Sequence, residues 1–472
     1  MELKPGSHIH LMGICGTAMA SLAGLLKDRG FKITGSDLNP YPPMSTQLES
    51  LGISIMKGYQ AQNLNPRPDF VIVGNVISAN NEEAQELMKL GIPYTSLPKA
   101  MGEFIIGSRE SVVISGTHGK TTTTSMMAWI AEKQGVKPGF LIGGIPKNFS
   151  QSFKNPEGNY FIIEGDEYDT AFFDKVPKFI HYRPKHVILT SVEFDHADIY
   201  KDLQAVKDAF ARLMKLIPRE GTLIACAEDA NVRELLKLTS CERVWTYGLT
   251  GGDFKAEVLS QNAKGLSFQV HHAGRVLGPY HTSITGDYNI LNATAVIAMS
   301  LSLGFDEAKT RDALQSFEGV KRRQEILGEP GGVLVIEDFA HHPTAVRETV
   351  KGIQKRYAGR KVFSVFEPRS ATSRRKVFQK DYVEAFKGSH EVLLAKAFDQ
   401  SKIDAGDRFS SHELVEDLRT AGVTAAEFDG ADQIVAALKD RTHRGDVVLI
   451  MSNGGFDGIY GKLMGVLGGA SS

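Results

Sequence analysis

The stretch VVISGTHGKTTTTS, Val112–Ser125, decides how the rest of the chain is read. An apolar run ends in a turn that holds Gly116 and Gly119, and a lysine and four threonines follow. Glycines in such a turn adopt backbone angles that let their amides approach anionic oxygens closely. The residues after them open a helix whose N-terminal amides and dipole favour phosphate. Lys120 then supplies a point charge for nucleotide phosphates, and the Thr121 hydroxyl suits Mg2+. Two residues, Thr117 and His118, separate the glycines, where the general phosphate loop has about four. The plain alternative is a tight strand–helix turn with an incidental lysine. The strand before it, the helix after it and the run of hydroxyls beyond Lys120 argue for phosphate.

A nucleotide phosphate needs a metal, and carboxylates follow downstream. FIIEGDEYDTAF puts Glu164, Asp166, Glu167 and Asp169 just after an apolar strand. A second strand, HVILTS, runs into VEFDHADIY with Glu193, Asp195, His196 and Asp198. Carboxylates at strand ends of an α/β sheet lie along the edge where ligands bind, and hard oxygen ligands suit Mg2+. Either acidic turn alone reads equally well as a solvated surface. Two of them behind one phosphate loop point to a shared metal site.

The same rhythm fills the chain: a short apolar run, a glycine turn, an amphipathic stretch. The runs are Ile9–Met12, Phe70–Val73, Val112–Ile114, Tyr160–Ile163, Val187–Leu189, Val333–Ile336, Val362–Phe366 and Val447–Met451. Strands that alternate with helices predict an α/β fold of mostly parallel sheets covered on both faces. Leu203, Val206, Phe210 and Leu213 share one face at helical spacing, which predicts a helix over Asp202–Leu216 stopped by Pro218. With 472 residues the chain exceeds one core. Breaks near GEFIIGSRES and near Gly319 suggest domains at 1–108, 109–320 and 321–472.

Composition excludes several classes. With 42% hydrophobic and 23% charged residues the chain is an ordinary globular one, and a net charge of −1 gives no bulk attraction to nucleic acid or anionic membrane. No apolar run approaches the roughly 20 residues that span a bilayer, and MELKPGSHIHLMG has no signal pattern. Cys15, Cys226 and Cys241 are odd in number and far apart, as expected of reduced thiols in a cytoplasmic protein.

Six motifs in one order, GTHGKTTT, EGDEYD, EFDHADIY, GDYNILNATA, GVKRRQE and DFAHHPT, resemble the Mur ligase family of peptidoglycan biosynthesis. The resemblance runs from about His8 to beyond Gly455. It implies three domains: a Rossmann-like N-terminal domain for a UDP-sugar, a central phosphate-loop ATPase domain, and a C-terminal Rossmann-like domain that closes on the nucleotide and the acceptor. It implies ATP and Mg2+ as cofactors. By motif position, Gly116 to Thr122 and Lys120 would hold ATP phosphates, and Thr121, Glu167 and His196 the metal. Asn289 and Asn292 would contact adenine and ribose, Arg323 the phosphates, and Asp338 the nucleotide beside His342. Helix capping is the plain alternative for the two asparagines, and a polar turn for His341–His342. The lysine that some branches carbamylate falls on Ala211, so no such modification is expected.

HLMGICG, with TGSD about twenty residues on, has the glycine spacing G-x-x-G-x-x-M in place of the dinucleotide G-x-G-x-x-G. A strand–turn–helix that receives a uridine diphosphate fits it better, with Gly13, Gly16 and Asp37 lining the site and Asn75 and Ser78 beside it. A nicotinamide-dependent dehydrogenase therefore lacks its fingerprint, and a non-catalytic homologue would have lost Lys120, Glu167 or His196.

The histidine of GTHGK resembles the branches that act on UDP-N-acetylmuramate itself. One adds L-alanine; the other recycles an intact murein tripeptide, L-Ala-γ-D-Glu-meso-diaminopimelate. GICG, YPPMS, HYRPK and FEPRSATSRR are closer to the tripeptide branch. The resemblance thus implies ATP-dependent amide-bond formation through an acyl phosphate, with the alanine adder as the competing reading. A peptide with several carboxylates calls for cations, and Arg183, Arg369, Arg374 and Arg375 are the candidates.

Overall fold

Each of the eight apolar runs forms the body of a strand in the computed structural model, which describes residues 3–40 and 44–469. Tyr41–Pro43 of the YPPMS segment lie outside the described residues. The chain forms two compact units, each assembled from three segments. The first comprises Met1–Glu193, Gln204–Lys255 and Ala293–Ala313; the second Phe194–Leu203, Ala256–Asn292 and Leu314–Ser472.

The first unit opens with β1 (His8–Met12), β2 (Lys32–Asp37), β3 (Ser54–Lys57), β4 (Phe70–Val73) and β5 (Tyr94–Ser96), paired in the order β3-β2-β1-β4-β5. All these pairings are parallel. A second sheet uses β6 (Glu110–Ser115), β7 (Gly139–Leu141), β8 (Phe153–Lys154) and β9 (Tyr160–Gly165). Across the hairpin β10 (Asp169–Ala171) and β11 (Asp174–Pro177), the sheet adds β12 (Pro184–Leu189), β13 (Thr222–Cys226) and β14 (Arg243–Gly248). Its order is β14-β13-β12-β6-β9-β7-β8, with β9 and β12 parallel neighbours of β6. Buried Val, Ile and Leu fill β6, β9 and β12, as expected of strands covered on both faces. The predicted amphipathic helix is Leu203–Leu216, with Val206, Phe210 and Leu213 buried.

The β10–β11 hairpin joins the two sheets of this unit. Phe172 at its turn packs on the cluster of Met12, Leu64, Val71, Val73 and Ile77, and Phe173 meets Tyr94 edge-on at 5.0 Å. The carboxylates of residues 164–167 are thus only a few residues from an anchor in the first sheet.

The second unit contains the antiparallel pair β16 (Gly265–His272) and β17 (Arg275–Thr282); the strand before them, β15 (Phe254–Asn262), begins in the first unit, where Phe254 and Lys255 pair with β14. It ends in β18 (Glu325–Gly328), β19 (Leu334–Asp338), β20 (Val362–Phe366), β21 (Glu391–Ala395), β22 (Ala425–Phe428) and β23 (Val447–Met451), ordered β18-β19-β23-β20-β21-β22. Apolar clusters cover both faces, one around Val346, Ile353 and Phe366, the other around Val335, Val365 and Ile434. All three cysteines are buried free thiols. Among the described residues no helix is long and apolar enough to cross a membrane.

Candidate active site

Parallel pairing of β6 with β9 and β12 brings the ends of all three strands to one edge of the sheet, where ligands of α/β sheets bind. After β6 comes the quoted glycine turn, and helix Lys120–Gln134 starts directly on Gly119, whose φ of 83° is left-handed. At Gly116, φ is 127° and an added Cβ would stand 2.2 Å from Thr190 Oγ1. The turn therefore has no room for a side chain there. The end of β12 braces it: Thr117 N donates to Ser191 O at 2.9 Å, His118 N to Ser191 Oγ at 3.1 Å, and Thr190 Oγ1 to His118 O at 2.6 Å.

Lys120 reaches back across the turn. Its Nζ donates to Gly116 O at 2.6 Å and to Glu167 Oε2 at 3.0 Å. Glu167 is 1% exposed. Burial alone would depress the ammonium, but Glu167, Asp166 and Glu164 outweigh it and raise its pKa above the ordinary value. Thr121 Oγ1 donates to Glu164 Oε2 at 3.0 Å. Asp166 pairs with Lys178 at 2.6 Å, whereas Asp169 turns away and pairs with Lys175 at 3.1 Å.

A hydroxyl and three carboxylates at the foot of a bare-backbone turn form an all-oxygen donor set. Such a set fits Mg2+ and the phosphates it accompanies, and suits a soft metal poorly. Glu164 was visible in the sequence as one of four carboxylates; its bond to Thr121 depends on the pairing of β6 with β9.

A second glycine turn follows β1. Gly13 has φ 79°, and Gly16 precedes helix Thr17–Asp28. Cys15 N donates to Asp37 Oδ2 at 2.9 Å, which ties the end of β2 to the turn. Asn75 and Ser78 are exposed past the end of β4, on the same edge. Tyr59 joins them unannounced by any motif: its hydroxyl lies 3.8 Å from where a Gly13 Cβ would be, and burial, with Asp37 second, pushes its pKa up to about 12. Beneath β2, the fully buried Glu83 accepts from Ser36 Oγ at 2.8 Å and Asn63 Nδ2 at 2.8 Å, and faces His10 Nε2 at 2.7 Å.

In the second unit, His196 has φ 55° and its N–H donates to Asp195 Oδ1 at 2.7 Å. Asp195 also accepts from Thr372 Oγ1 at 2.6 Å. Burial opposes its ionisation, yet His196, His341, His342 and the Thr372 hydroxyl hold its carboxyl below the usual range. His342 caps helix Pro343–Arg356: its Nδ1 accepts from Thr344 N at 3.3 Å, so Nε2 carries the proton donated to Phe194 O at 3.1 Å. Asp338, at the end of β19, accepts from Gln324 N and Ala340 N, both at 2.8 Å. Burial raises its pKa despite Arg323 and these two amides.

Arg323 stacks on Phe339 at 4.5 Å, while its neighbour Arg322 is committed to Glu337 at 2.6 Å. Asn289 Nδ2 donates to Thr285 O at 2.8 Å and Asn292 Nδ2 to Asn289 Oδ1 at 3.3 Å, so both buried asparagines are engaged at the start of helix Asp287–Ser302. Arg183, with φ 49°, donates from Nη1 to Gly107 O at 2.7 Å. Arg369 stacks on Phe398 at 3.8 Å.

Parallel sheets with a lysine-bearing glycine turn at the carboxyl edge define a phosphate-loop α/β protein. Three family models match along the chain: "Mur ligase family, catalytic domain" over residues 8–109, "Mur ligase middle domain" over 114–300, and "Mur ligase, glutamate ligase domain" over 322–454. The chain belongs to the Mur ligase family. It is 39% identical over 458 residues, 97% of each chain, to the UDP-N-acetylmuramate–L-alanyl-gamma-D-glutamyl-meso-2,6-diaminoheptandioate ligase of Escherichia coli K12. A murein peptide ligase of Psychrobacter arcticus, solved as a crystal structure, is 34% identical with a TM-score of 0.73, covering 99% of this chain and 100% of that one. The UDP-N-acetylmuramate–L-alanine ligase of Clostridium tetani is 34% identical over 453 residues, 96% of each chain.

Proposed function

We propose that this ligase joins UDP-N-acetylmuramate to L-alanyl-γ-D-glutamyl-meso-diaminopimelate in the cytoplasm with hydrolysis of ATP, so that recovered wall peptide re-enters precursor synthesis. The observation that carries the choice of acceptor is the 39% identity to the Escherichia coli tripeptide ligase, against 34% to an alanine-adding one over similar lengths.

The lactyl carboxylate takes the terminal phosphoryl group of ATP, ADP departs, and the peptide amine displaces phosphate from the acyl carbon as it gives up a proton. A carboxylate is a poor electrophile, and phosphorylation provides its leaving group. The chain's part is positioning and charge neutralisation. In this reading the amides of Gly116 to Thr122 cradle the phosphates. Lys120 exchanges part of its contact with Glu167 for phosphoryl oxygen, and Arg323 adds a second cation. Thr121, Glu167 and His196 would hold Mg2+, which screens the oxygens that must meet. Asn289, Asn292 and Asp338 serve the nucleoside, with His342 beside Asp338 in the same motif. Gly13, Gly16, Asp37, Asn75 and Ser78 receive the uridine diphosphate, and Arg183 and Arg369 face the peptide. With domain limits at 1–108, 109–320 and 321–472, the uridine diphosphate residues all fall in the first.

ADP release measured with UDP-N-acetylmuramate and ATP, offering the tripeptide or L-alanine in turn, tests the proposal. A larger kcat/KM for the tripeptide is expected; a larger value for L-alanine assigns the chain to the alanine-adding branch.

A further inference from the structure

Glu83 is an ionisable side chain with no exposure at all, in the first turn of helix Glu82–Lys89. Its carboxylate accepts four bonds. Oε1 takes His10 Nε2 at 2.7 Å and Ser36 Oγ at 2.8 Å; Oε2 takes Asn63 Nδ2 at 2.8 Å and Gln60 N at 3.3 Å. The donors come from β1, from β2 and from the segment after β3. A buried charged group of this kind seldom adds stability over apolar side chains of the same volume. What it supplies is a fixed place for each partner, because every donor left without it is costly to bury.

The partners converge on the glycine turn after β1. Ser36 O accepts from Gly13 N at 2.8 Å and Ile14 N at 3.0 Å, and the next residue, Asp37, accepts from Cys15 N at 2.9 Å. The last two residues of β2 thus hold three successive amides of the turn, and Glu83 grips the first of the two by its hydroxyl. Gln60 follows Tyr59, whose hydroxyl lies 3.8 Å from where a Gly13 Cβ would be. Asn63 Nδ2 also donates to Gly58 O at 2.9 Å, and Gly58 N donates to Asp37 O at 2.8 Å, so the segment closes on the same strand end. His10 is fixed from its other side, with Nδ1 2.9 Å from Thr34 Oγ1, which also meets His8 Nε2 at 2.8 Å. One carboxylate therefore ties the strand end that shapes the turn to the segment that carries its tyrosine. All four of its partners lie within residues 10–63, far in the chain from the phosphate loop that starts at Gly116.

We propose that Glu83 is a positioning residue for the sugar nucleotide, acting through Ser36 on the backbone of the turn and through Gln60 on Tyr59. His10 and Asn63 hold the carboxylate in place. This inference rests on the reading of the turn after β1 as the uridine diphosphate site. A carboxamide at position 83 keeps the shape but offers one accepting oxygen in place of two. One pair of donors, on the strands or on the segment after β3, then loses its acceptor, and the turn loses part of its frame.

Steady-state ADP release by the full-length enzyme, with whichever acceptor it uses, tests the proposal. Glu83→Gln should raise KM for UDP-N-acetylmuramate by about tenfold, the scale of a hydrogen bond to a charged group, while kcat and KM for ATP stay within about twofold. Ser36→Ala leaves the main chain in place and should raise the same KM by about threefold; it carries the test if thermal melting shows that Glu83→Gln does not fold. Glu83→Gln combined with Asp37→Ala should raise KM by less than the product of the two single effects, because both act on one turn. An unchanged KM for UDP-N-acetylmuramate, a fall in kcat with equal rises in both KM values, or a double variant whose effects simply multiply overturns the proposal. A wild type whose ADP release does not depend on UDP-N-acetylmuramate overturns the uridine diphosphate reading instead.

Discussion

The two glycine turns of the first unit share one frame and differ in what surrounds it. Each follows a buried parallel strand, β1 or β6, has a glycine at positive φ and leads into a helix, of 12 residues in one case and 15 in the other. The turn after β6 carries Lys120 at the head of its helix, locked among Glu167, Asp166 and Glu164. The turn after β1 has no cation; a carboxylate, Asp37, grips its backbone at Cys15 N. Helix N-termini favour anions in both. The frame supplies the amides, while the neighbouring strand end sets how much negative charge the turn accepts.

Five measurements test that contrast. Lys120→Ala should lower kcat by about a thousandfold, the scale for loss of a preorganised group that meets developing charge. ADP release measures it, and a loss under about tenfold would remove the distinction between the turns. Next, Gly116→Ala should cost about 3 kcal/mol in urea unfolding, since its Cβ meets Thr190 Oγ1 at 2.2 Å and Ser191 backbone at 2.8 Å while φ is 127°.

Asp37→Ala should raise KM for UDP-N-acetylmuramate by about tenfold with kcat nearly kept, as expected when a charge-assisted bond that shapes a binding turn is lost. Gly13→Ala should cost only about 1 kcal/mol, because the side chain its Cβ meets, at 3.1 Å, is the exposed Val76. The smallest effect concerns pH. Burial first, with nearby cations second or later, lowers His8 in β1 and His186 in β12 below their ordinary 6.5. A histidine depressed in the folded state stabilises above 6.5, and that stability is lost as pH falls through its folded pKa. The unfolding free energy from urea titration should drop by less than about 1 kcal/mol on acidification below that value, and His186→Gln should flatten the drop.

Much of this was legible in the sequence, for reasons that differ by region. Val362–Phe366 and Val447–Met451 are strands from end to end because a strand covered on both faces must be apolar throughout. Strand β15 announced nothing, since it buries only Phe254 and Ala256 and its pattern is mostly polar. Thr121, Glu164 and Glu167 were named from motifs, but their convergence depends on β9 lying beside β6, and strand order is not written in any local pattern. Tyr59 and Glu83 stayed silent for the same reason: one matters through Gly13, the other through Ser36 and Gln60, and these neighbours are remote in the chain.

The chain passes between its two units five times, at 193/194, 203/204, 255/256, 292/293 and 313/314. No single truncation can therefore isolate either unit intact. During synthesis the first unit stays incomplete until residue 313 has left the ribosome, by which time parts of the second are already outside. A library of cut sites or permuted termini should tolerate breaks between 193 and 314, where the chain changes unit five times, less well than breaks within the uninterrupted segments on either side.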